Sequence, residues 1–458
     1  MKKENEIMAR KKSYRTLTLA AFAAAILLSG VQLLAQELAE TPGPDVGTPP
    51  AAEQSEEIKA AIDKFRQRDF PGALKSLEEA VKKDPDLPPP RVIMAQLFVR
   101  ARQMGAVRGS LEAAVMEMPE DPQAYTVLAD FALRERRITE AGLLYDKAAD
   151  LLEKFTGSTK RKEALQPRVL GGLAAVAEAR ADWPEVQKHV EAWLKVQPDS
   201  STAMQRLARA LFKQKEPKKA YDMLKEAAKA DPKMLTPSAI LATFYEQAGD
   251  HENAVKWMTY AVETAAPKDL RTHLLATQWA LETNQIDLAK KLAEESTNLD
   301  PKSSDANLLR GAVNLFLGDY KAAEGYFQAA HMQSPDSFAV TNNLALAMVE
   351  QGDESKKHTA LAYAAENARK YPRSGEAQST YGWVLYKMGR LQEAGVALQK
   401  AMNLGNPKND TIYYFARVLA ETGNTKDAKT LLAAALKSKN PFSKVAEAKK
   451  LDATLKPE

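Results

Sequence analysis

The sequence predicts an all-α solenoid of about eleven helix pairs that ends in a C-terminal capping helix. Three observations lead to this fold class. Small residues recur in three columns, and most intervals within a column are 34 or 35 residues. Apolar residues around these columns follow helical spacing, and a proline closes most of the repeated segments. Repeats of this length are typical of stacked helix pairs that share one continuous core.

The first element, residues 1–35, has the order of a secretory leader. Six basic and two acidic residues precede the apolar run LTLAAFAAAILLSGVQLLA, residues 17–35. Cleavage after Ala35 is one outcome that this pattern predicts. The run is also close to the roughly 20 residues that span a bilayer, so an uncleaved inner-membrane tether is the alternative. In both cases the positive flank stays in the cytoplasm, and we expect an exported bacterial protein of the periplasm or cell envelope.

The second element, residues 36–53, is predicted to be a flexible linker. Its sequence, QELAETPGPDVGTPPAAE, is rich in proline, acidic and small residues and has no apolar period. Such a composition cannot bury a packed face, so it favours an extended tether.

The third element, residues 54–442, is the repeat region, which is defined by three aligned columns of small side chains. The first column comprises Ala73, Val107, Ala141, Val186, Ala220, Ala254, Ala289, Ala323, Ala394 and Ala428. Twelve positions earlier stand Ala61, Ala95, Ala129, Ala174, Ala208, Ala242, Gly311, Ala345, Gly382 and Ala416. Seven positions after the first column stand Ala80, Ala114, Ala148, Ala227, Ala261, Ala330, Ala401 and Ala435. Small residues at these places let neighbouring helices approach closely.

One segment, residues 303–335, illustrates how each repeat is built. Apolar residues at helical spacing predict a first helix, and Gly318 suits the left-handed conformation that ends it. Asp319 is placed to cap a second helix, in which Ala323 is buried. Pro335 then prevents that helix from continuing. The segment is therefore interpreted as one structural unit and not as a catalytic loop.

These columns resemble the tetratricopeptide repeat (TPR) family, whose units are 34 residues long. The resemblance covers residues 54–442, with extra residues at TGSTKRKEALQP in the third unit and DESKKHTA in the ninth. It implies a right-handed superhelix whose concave face, built mainly from the first helix of each pair, binds partners. Eleven units are expected to begin near Gln54, Pro88, Pro122, Pro167, Ser201, Leu235, Leu270, Ser304, Phe338, Gly375 and Asn409.

The last element, residues 443–458, is predicted to be a capping helix and tail. Val445, Ala448, Leu451 and Leu455 are spaced by three or four residues, which gives one apolar stripe. A helix of this kind covers the exposed end of the final repeat.

The composition excludes several kinds of chemistry. The chain has no cysteine, so disulfides and thiolate metal sites are absent, and its five histidines fall at unrelated repeat positions. The leader accounts for the whole net charge of +4, so no basic excess points to nucleic acid. FTGSTKRK, residues 155–162, lacks the first glycine of a phosphate loop and is interpreted as an exposed insertion. We expect no enzyme, cofactor or metal site.

Two sets of residues are candidates for partner binding. Repeat position 13 holds Arg66, Arg100 and Arg134 in the first three units and Lys213 in the fifth, which predicts a basic stripe. Near the C-terminus, exposed aromatic residues beside arginine are expected to anchor a peptide; these are Trp383, Tyr386, Tyr413 and Arg417. The alternative is that the aromatic side chains fill gaps between units.

The predicted function is a non-enzymatic scaffold that binds a protein or peptide along the concave groove. The alternative is a carbohydrate-binding or cell-wall-binding repeat protein, in which inner aromatic side chains would stack on sugars. The oligomeric state and the identity of the partner stay open at this point.

Overall fold

The computed structural model describes residues 55–266, 269–438 and 442–455, and all regular structure within these ranges is helical. The expectations for the leader and for the linker as far as residue 53 lie outside the described residues. The described chain divides into two compact parts, which we call the N-terminal unit (residues 55–258) and the C-terminal unit (residues 259–455). The all-α solenoid predicted from the repeats is confirmed.

The described residues contain eleven consecutive helix pairs and one final helix. The first pairs are α1 (Glu56–Arg66) and α2 (Phe70–Lys83), α3 (Pro90–Arg100) and α4 (Met104–Glu117), α5 (Pro122–Arg134) and α6 (Ile138–Lys154), α7 (Thr159–Ala179) and α8 (Trp183–Val196), α9 (Ser201–Lys213) and α10 (Pro217–Ala230), and α11 (Pro237–Gln247) and α12 (His251–Glu263). The boundary between the two units falls within α12.

The C-terminal unit continues the same alternation of first and second helices. Its elements are α13 (Leu270–Glu282) and α14 (Ile286–Leu299), α15 (Ser304–Leu317) and α16 (Tyr320–Gln333), α17 (Phe338–Val349) and α18 (Glu354–Lys370), α19 (Gly375–Lys387) and α20 (Leu391–Asn403), α21 (Asn409–Glu421) and α22 (Thr425–Lys437), and α23 (Val445–Thr454).

The three columns of small residues form the contact surfaces between helices. Every alanine and valine of the columns is at most 2% exposed, and the two glycines of the second column are buried as well. A Cβ added at Gly311 would lie 2.5 Å from the ring of Phe327, and one at Gly382 would lie 2.6 Å from Leu398. The columns are therefore small because facing side chains occupy the space beside the backbone.

The turn within each pair holds one residue in the left-handed backbone conformation. In the segment used above, Gly318 has φ of 80° and Asp319 accepts a hydrogen bond from the backbone of Ala322 at 3.1 Å, as predicted. The equivalent residue has positive φ in all eleven turns; these residues are Arg68, Arg102, Arg136, Ala181, Lys215, Gly249, Asn284, Gly318, Gly352, Gly389 and Gly423.

The fourth pair departs from the repeat pattern. Its first helix, α7, begins at Thr159, eight residues before the expected start at Pro167, which lies inside the helix. Ser158 caps the helix, and the guanidinium of Arg161 lies 2.7 Å from the carboxylate of Asp121, with both side chains largely buried. FTGSTKRK is thus not simply an exposed insertion, because Arg161 ties its helical part to the preceding pair.

The predicted C-terminal helix is present as α23. Ala448 is fully buried and Leu451 is nearly so, and both belong to the apolar core of the C-terminal unit. None of the helices in the described ranges combines the length and the hydropathy of a membrane span.

Candidate functional site

The predicted basic stripe lies at the last turns of first helices in the N-terminal unit. Arg66, Arg100, Arg134 and Lys213 end α1, α3, α5 and α9, and all four are exposed. The guanidinium of Arg66 is 3.3 Å from Asp63, and the ammonium of Lys213 is 5.9 Å from the ring centroid of Trp183. We call the surface formed by α1, α3, α5, α7 and α9 the first-helix face.

Turns of neighbouring pairs lie side by side in this unit. The amide of Gln214, in the turn after α9, donates to the carbonyl of Trp183 at 3.5 Å and to the side chain of Gln187 at 2.9 Å. At the other end of the unit, the rings of Phe65, Phe70 and Phe98 pack with centroids 5.1 to 5.3 Å apart. The ends of successive first helices therefore form one edge.

A buried polar network lies beneath this edge. Asp130 on α5 accepts hydrogen bonds from the Nε of Arg168 on α7, at 3.0 Å, and from the hydroxyl of Tyr145 on α6. Burial, followed by the charge of Asp130, raises the pKa of Tyr145 well above its ordinary value, so the phenol stays protonated and donates. A Cβ at Gly172 would lie 2.2 Å from the ring of Tyr145, which explains the glycine there.

Arg134 borders a small recess above this network. The recess is lined by Asp130, Leu133, Arg134, Tyr145, Arg168, Gly171 and Gly172. Burial lowers the pKa of Arg134, and the positive charge of Arg168 adds to that effect while Asp130 opposes it. The Asp130 carboxylate is already occupied by Tyr145 and Arg168, and the side chain of Arg134 is exposed.

Further cations on the first-helix face were missed by considering repeat position 13 alone. Arg206 on α9 is buried and donates to the carbonyl of Gly171 on α7 at 2.9 Å. Burial lowers the pKa of Arg209, where Glu178 opposes the shift and the charge of Arg206 reinforces it. Arg168, Arg206 and Arg209 stand at repeat positions 2, 6 and 9, so a scan for basic residues over the whole face would have found them.

The predicted aromatic anchors in the C-terminal unit are not exposed. Trp383 is 3% exposed and Tyr413 is 4% exposed, so the expectation that they project to solvent is wrong. The indole of Trp383 stacks between the rings of Tyr386 and Tyr414, at centroid distances of 4.8 and 4.1 Å. Its Nε1 donates to Glu350 at 2.9 Å. The alternative, in which these aromatic side chains fill gaps between neighbouring repeats, describes Trp383 and Tyr413.

A lysine from the C-terminal segment pairs with the same glutamate, Glu350, that accepts the hydrogen bond from Trp383. The ammonium of Lys444 lies 3.0 Å from Glu350, donates to the hydroxyl of Tyr320 at 2.6 Å and is 4.9 Å from that ring's centroid. Lys387 contacts the other carboxylate oxygen of Glu350 at 2.8 Å. Ser443 beside Lys444 donates to Asp410 at 2.7 Å. Glu350, Tyr320 and Asp410 therefore fix the start of the C-terminal segment beside the aromatic cluster.

Burial acts in opposite directions on the pKa values of Glu350 and Lys444. It acts to raise the pKa of Glu350, but the ammonium groups of Lys444 and Lys387 outweigh burial and keep that pKa below its usual value of 4.5. Burial acts to lower the pKa of Lys444, but the charge of Glu350 and the hydrogen bonds to Tyr320 and Glu350 together outweigh it, so the pKa is raised. Burial also raises the pKa of Tyr413 to about 12. Both members of the pair are charged at neutral pH.

Tyr386 and Arg417, the other two candidates in this region, are half-buried and joined to each other. The Nε of Arg417 donates to the hydroxyl of Tyr386 at 2.9 Å, and that hydroxyl donates to Glu421 at 2.5 Å. Since their polar groups are satisfied within the unit, they offer a partner less than the basic stripe does. Within the described residues, no group of three or more histidine and acidic side chains is arranged to hold a metal ion.

Comparisons with known proteins agree with this architecture. Two tetratricopeptide repeat family models match residues 279–338 and 385–451. No curated protein matches the chain.

Three solved structures are similar to the chain at low identity and low TM-score. The thermophilic TPR protein TTC0263 of Thermus thermophilus is 19% identical over 41% of this chain and 98% of its own, with a TM-score of 0.35. Yeast Tom70 is 13% identical over 87% and 94%, with a TM-score of 0.36. A tetratricopeptide repeat protein of Parabacteroides merdae is 13% identical over 63% and 100%, also with a TM-score of 0.36. The family models and the repeated helix pairs show that the chain contains tetratricopeptide repeats.

Proposed function

We propose that the chain is a non-enzymatic interaction scaffold of the cell envelope and that it binds a partner protein on the first-helix face of the N-terminal unit. TPR repeats are protein-interaction modules, which supports the general function. The observation that carries the choice of surface is the row of exposed cations formed by Arg66, Arg100, Arg134 and Lys213. The envelope setting rests on the leader sequence of residues 1–35.

The two candidate surfaces differ in how far their candidate side chains are exposed to solvent. In the C-terminal unit, Trp383 and Tyr413 are buried, and Glu350 is neutralised by two lysines. In the N-terminal unit, the cations at repeat position 13 project to solvent. Arginine side chains are common binding hot spots, and exposed charges steer a partner of opposite sign during encounter. These considerations favour the N-terminal unit as the binding surface.

The carbohydrate-binding alternative depends on aromatic rings that are open to a sugar face. Trp383 has both faces covered by the rings of Tyr386 and Tyr414, and Tyr413 is buried. Their burial removes the feature that suggested sugar binding, so we give preference to a protein partner.

Cross-linking in a host that produces the full chain tests this function. Partners are captured chemically and identified by mass spectrometry for the wild type and for the triple variant Arg66→Glu, Arg100→Glu, Lys213→Glu. The matched control reverses three exposed lysines on second helices, namely Lys82, Lys147 and Lys218. We expect the first variant to lose the captured protein and the control to retain it. Equal capture by all three proteins would contradict the proposed surface.

Fractionation of the same cells tests the envelope setting. We expect the chain in the periplasmic fraction if residues 1–35 are removed, or in the inner membrane if they are retained. Recovery of the full-length chain in the cytoplasmic fraction would contradict export.

A further inference from the structure

The left-handed residue of each turn differs between the two units in a way that packing does not explain. In the C-terminal unit this residue is glycine in four of the five turns, at Gly318, Gly352, Gly389 and Gly423. In the N-terminal unit it is a long cationic residue in four of the six turns, and φ is 63°, 55°, 59° and 66° at Arg68, Arg102, Arg136 and Lys215. Arginine and lysine are strained in this conformation and glycine is not.

These four side chains form no polar contact that would compensate for the strain, as far as the described residues show. All four are exposed, and none makes an ion pair or a side-chain hydrogen bond with another described residue. The acidic neighbours that could neutralise two of them are engaged elsewhere. Asp69 caps α2 through the backbone of Gly72 at 2.9 Å, and Glu135 contacts Arg137 at 2.7 Å. Strained backbone that carries an unused functional group is a feature of binding sites.

The strained residues extend the row at repeat position 13. Each stands two positions after one of the cations described above, and neighbouring turns lie side by side. The eight residues form one surface, which we call the basic ladder; its members are Arg66, Arg68, Arg100, Arg102, Arg134, Arg136, Lys213 and Lys215. The fourth turn holds Ala179 and Ala181 at the two ladder positions, with the exposed Arg180 between them.

We infer that the basic ladder binds an extended acidic polypeptide segment of the partner, with carboxylates that pair with the turns of successive repeats. This inference rests on the proposed function and adds the chemistry of the partner. The planar guanidinium group holds carboxylates through two parallel hydrogen bonds, and six of the eight ladder residues are arginine. Because the turns recur from repeat to repeat, an extended peptide that runs along them contacts one turn after another.

Features beside the ladder favour a polypeptide over other anionic polymers. Single-stranded nucleic acids are held by exposed aromatic rings on which bases stack. The rings of Phe65, Phe70 and Phe98 at this edge pack on one another instead. Met104, two residues after Arg102, is 53% exposed and offers an adaptable apolar contact that suits side chains of a peptide.

The test replaces the strained cations by the residue that the backbone prefers. The full-length variant Arg68→Gly, Arg102→Gly, Arg136→Gly, Lys215→Gly removes four charges and relieves strain, so a loss of binding cannot be attributed to unfolding. The probe is a fluorescent peptide of about 20 residues with glutamate at alternate positions, measured by anisotropy at low and at physiological salt. We expect at least a tenfold weaker affinity together with a higher melting temperature.

Two further variants separate charge from backbone. Ala181→Gly changes the same turn position without removing a charge, so it should raise the melting temperature and leave the affinity unchanged. A variant with lysine at Arg68, Arg102 and Arg136 should keep most of the affinity, because the charge is conserved. Unchanged affinity in the four-glycine variant, or a lower melting temperature, would overturn the inference.

Competition distinguishes the class of ligand. Polyuridylate and heparin are added to the complex of the wild-type protein with the labelled peptide. Displacement at lower charge concentrations than unlabelled peptide would overturn an acidic polypeptide as the preferred ligand. If native cross-linking still depends on the first-helix face while the four-glycine variant captures the same partner, the proposed function stands and only the acidic-segment inference fails.

Discussion

The two units contain the same kind of helix pair but differ in where their cationic side chains lie. In the N-terminal unit, cations project from the ends of first helices, and four of them occupy strained turns. In the C-terminal unit, glycine occupies most of these turns, and Lys387 and Lys444 are paired with a buried glutamate. Residues that sacrifice stability at a local site are expected where function requires them. The difference is consistent with the proposed binding surface on the N-terminal unit, while the C-terminal unit packs its own C-terminal segment against buried groups.

The largest expected effect on the free energy of unfolding follows from breaking the Glu350–Lys444 ion pair of the C-terminal unit. Glu350→Leu removes the buried carboxylate beside the ammonium of Lys444 and leaves only the half-exposed Glu447, at 3.5 Å, and loss of a buried partner costs about 3–5 kcal/mol. Denaturant unfolding followed by tryptophan fluorescence reports the loss, because Trp383 contacts Glu350 directly. The control, Arg390→Ala, removes an exposed ion pair with Glu393 and should leave the unfolding midpoint unchanged. Equal midpoints for wild type and Glu350→Leu would show that the pair does not hold the segment.

The next effect concerns the columns of small residues, which both units share. Ala323→Leu adds three carbons at a fully buried contact and should destabilise the protein by about 1–3 kcal/mol. Gly325→Ala lies in the same helix, where an added Cβ meets nothing within 4 Å, and should raise stability by about 0.5–1 kcal/mol. Calorimetric melting of both variants checks the signs. An unchanged melting temperature for Ala323→Leu would remove this column from the core.

A smaller effect is expected at the turns, where the two units differ in the residue that has positive φ. Gly389→Ala introduces a Cβ into open space at φ of 77°, so the cost of about 1 kcal/mol comes from backbone conformation alone. Arg102→Gly is the reciprocal change and should stabilise the N-terminal unit by a similar amount. Melting curves of the two single variants give the comparison. Effects of the same sign would contradict the claim that the cationic turns are strained.

The smallest effect is expected for the pH dependence of the Glu350–Lys444 pair. Burial raises the pKa of Glu350 and the nearby ammonium groups lower it, so the two influences oppose each other. Its pKa in the folded protein lies below 4.5, so its contribution to stability is present above that pH and declines as the pH falls through the folded value. The pKa of Lys444 is raised, so its contribution persists below 10.5 and declines as the pH rises through the folded value. Unfolding from pH 3 to 6 should show an acid-linked loss that Glu350→Gln reduces. Identical pH profiles for the two proteins would exclude this linkage.

The sequence predicted the fold through features that depend only on local spacing. Columns such as that of Ala323, the turn at Gly318 and the helix starting at Val445 follow from periodicity and capping, and each is confirmed. The extension of α7 before Pro167 was missed because the contact between Arg161 and Asp121 joins residues 40 positions apart. Contacts of this kind leave no periodic signal.

The candidate site was predictable in part for the same reason. The stripe at Arg66 and Arg100 follows from repeat position, and both side chains are exposed where the spacing places them. The burial of Trp383 depends on stacking against Tyr414 and on a hydrogen bond to Glu350, and these contacts join residues of different repeats. The unusual turns at Arg68 and Arg102 were visible as missing glycines, but their meaning required the backbone conformation.

Site-specific photo-cross-linking in the native host tests the central claim most directly. A photoreactive amino acid is placed at Arg102 in the basic ladder, at Leu143 on a second helix of the same unit, or at Val396 in the C-terminal unit; the two control positions are 67% and 73% exposed. We expect a defined partner protein to be joined at position 102 and to be absent at the other two positions. Partner capture at position 143 or 396, with none at position 102, would contradict it.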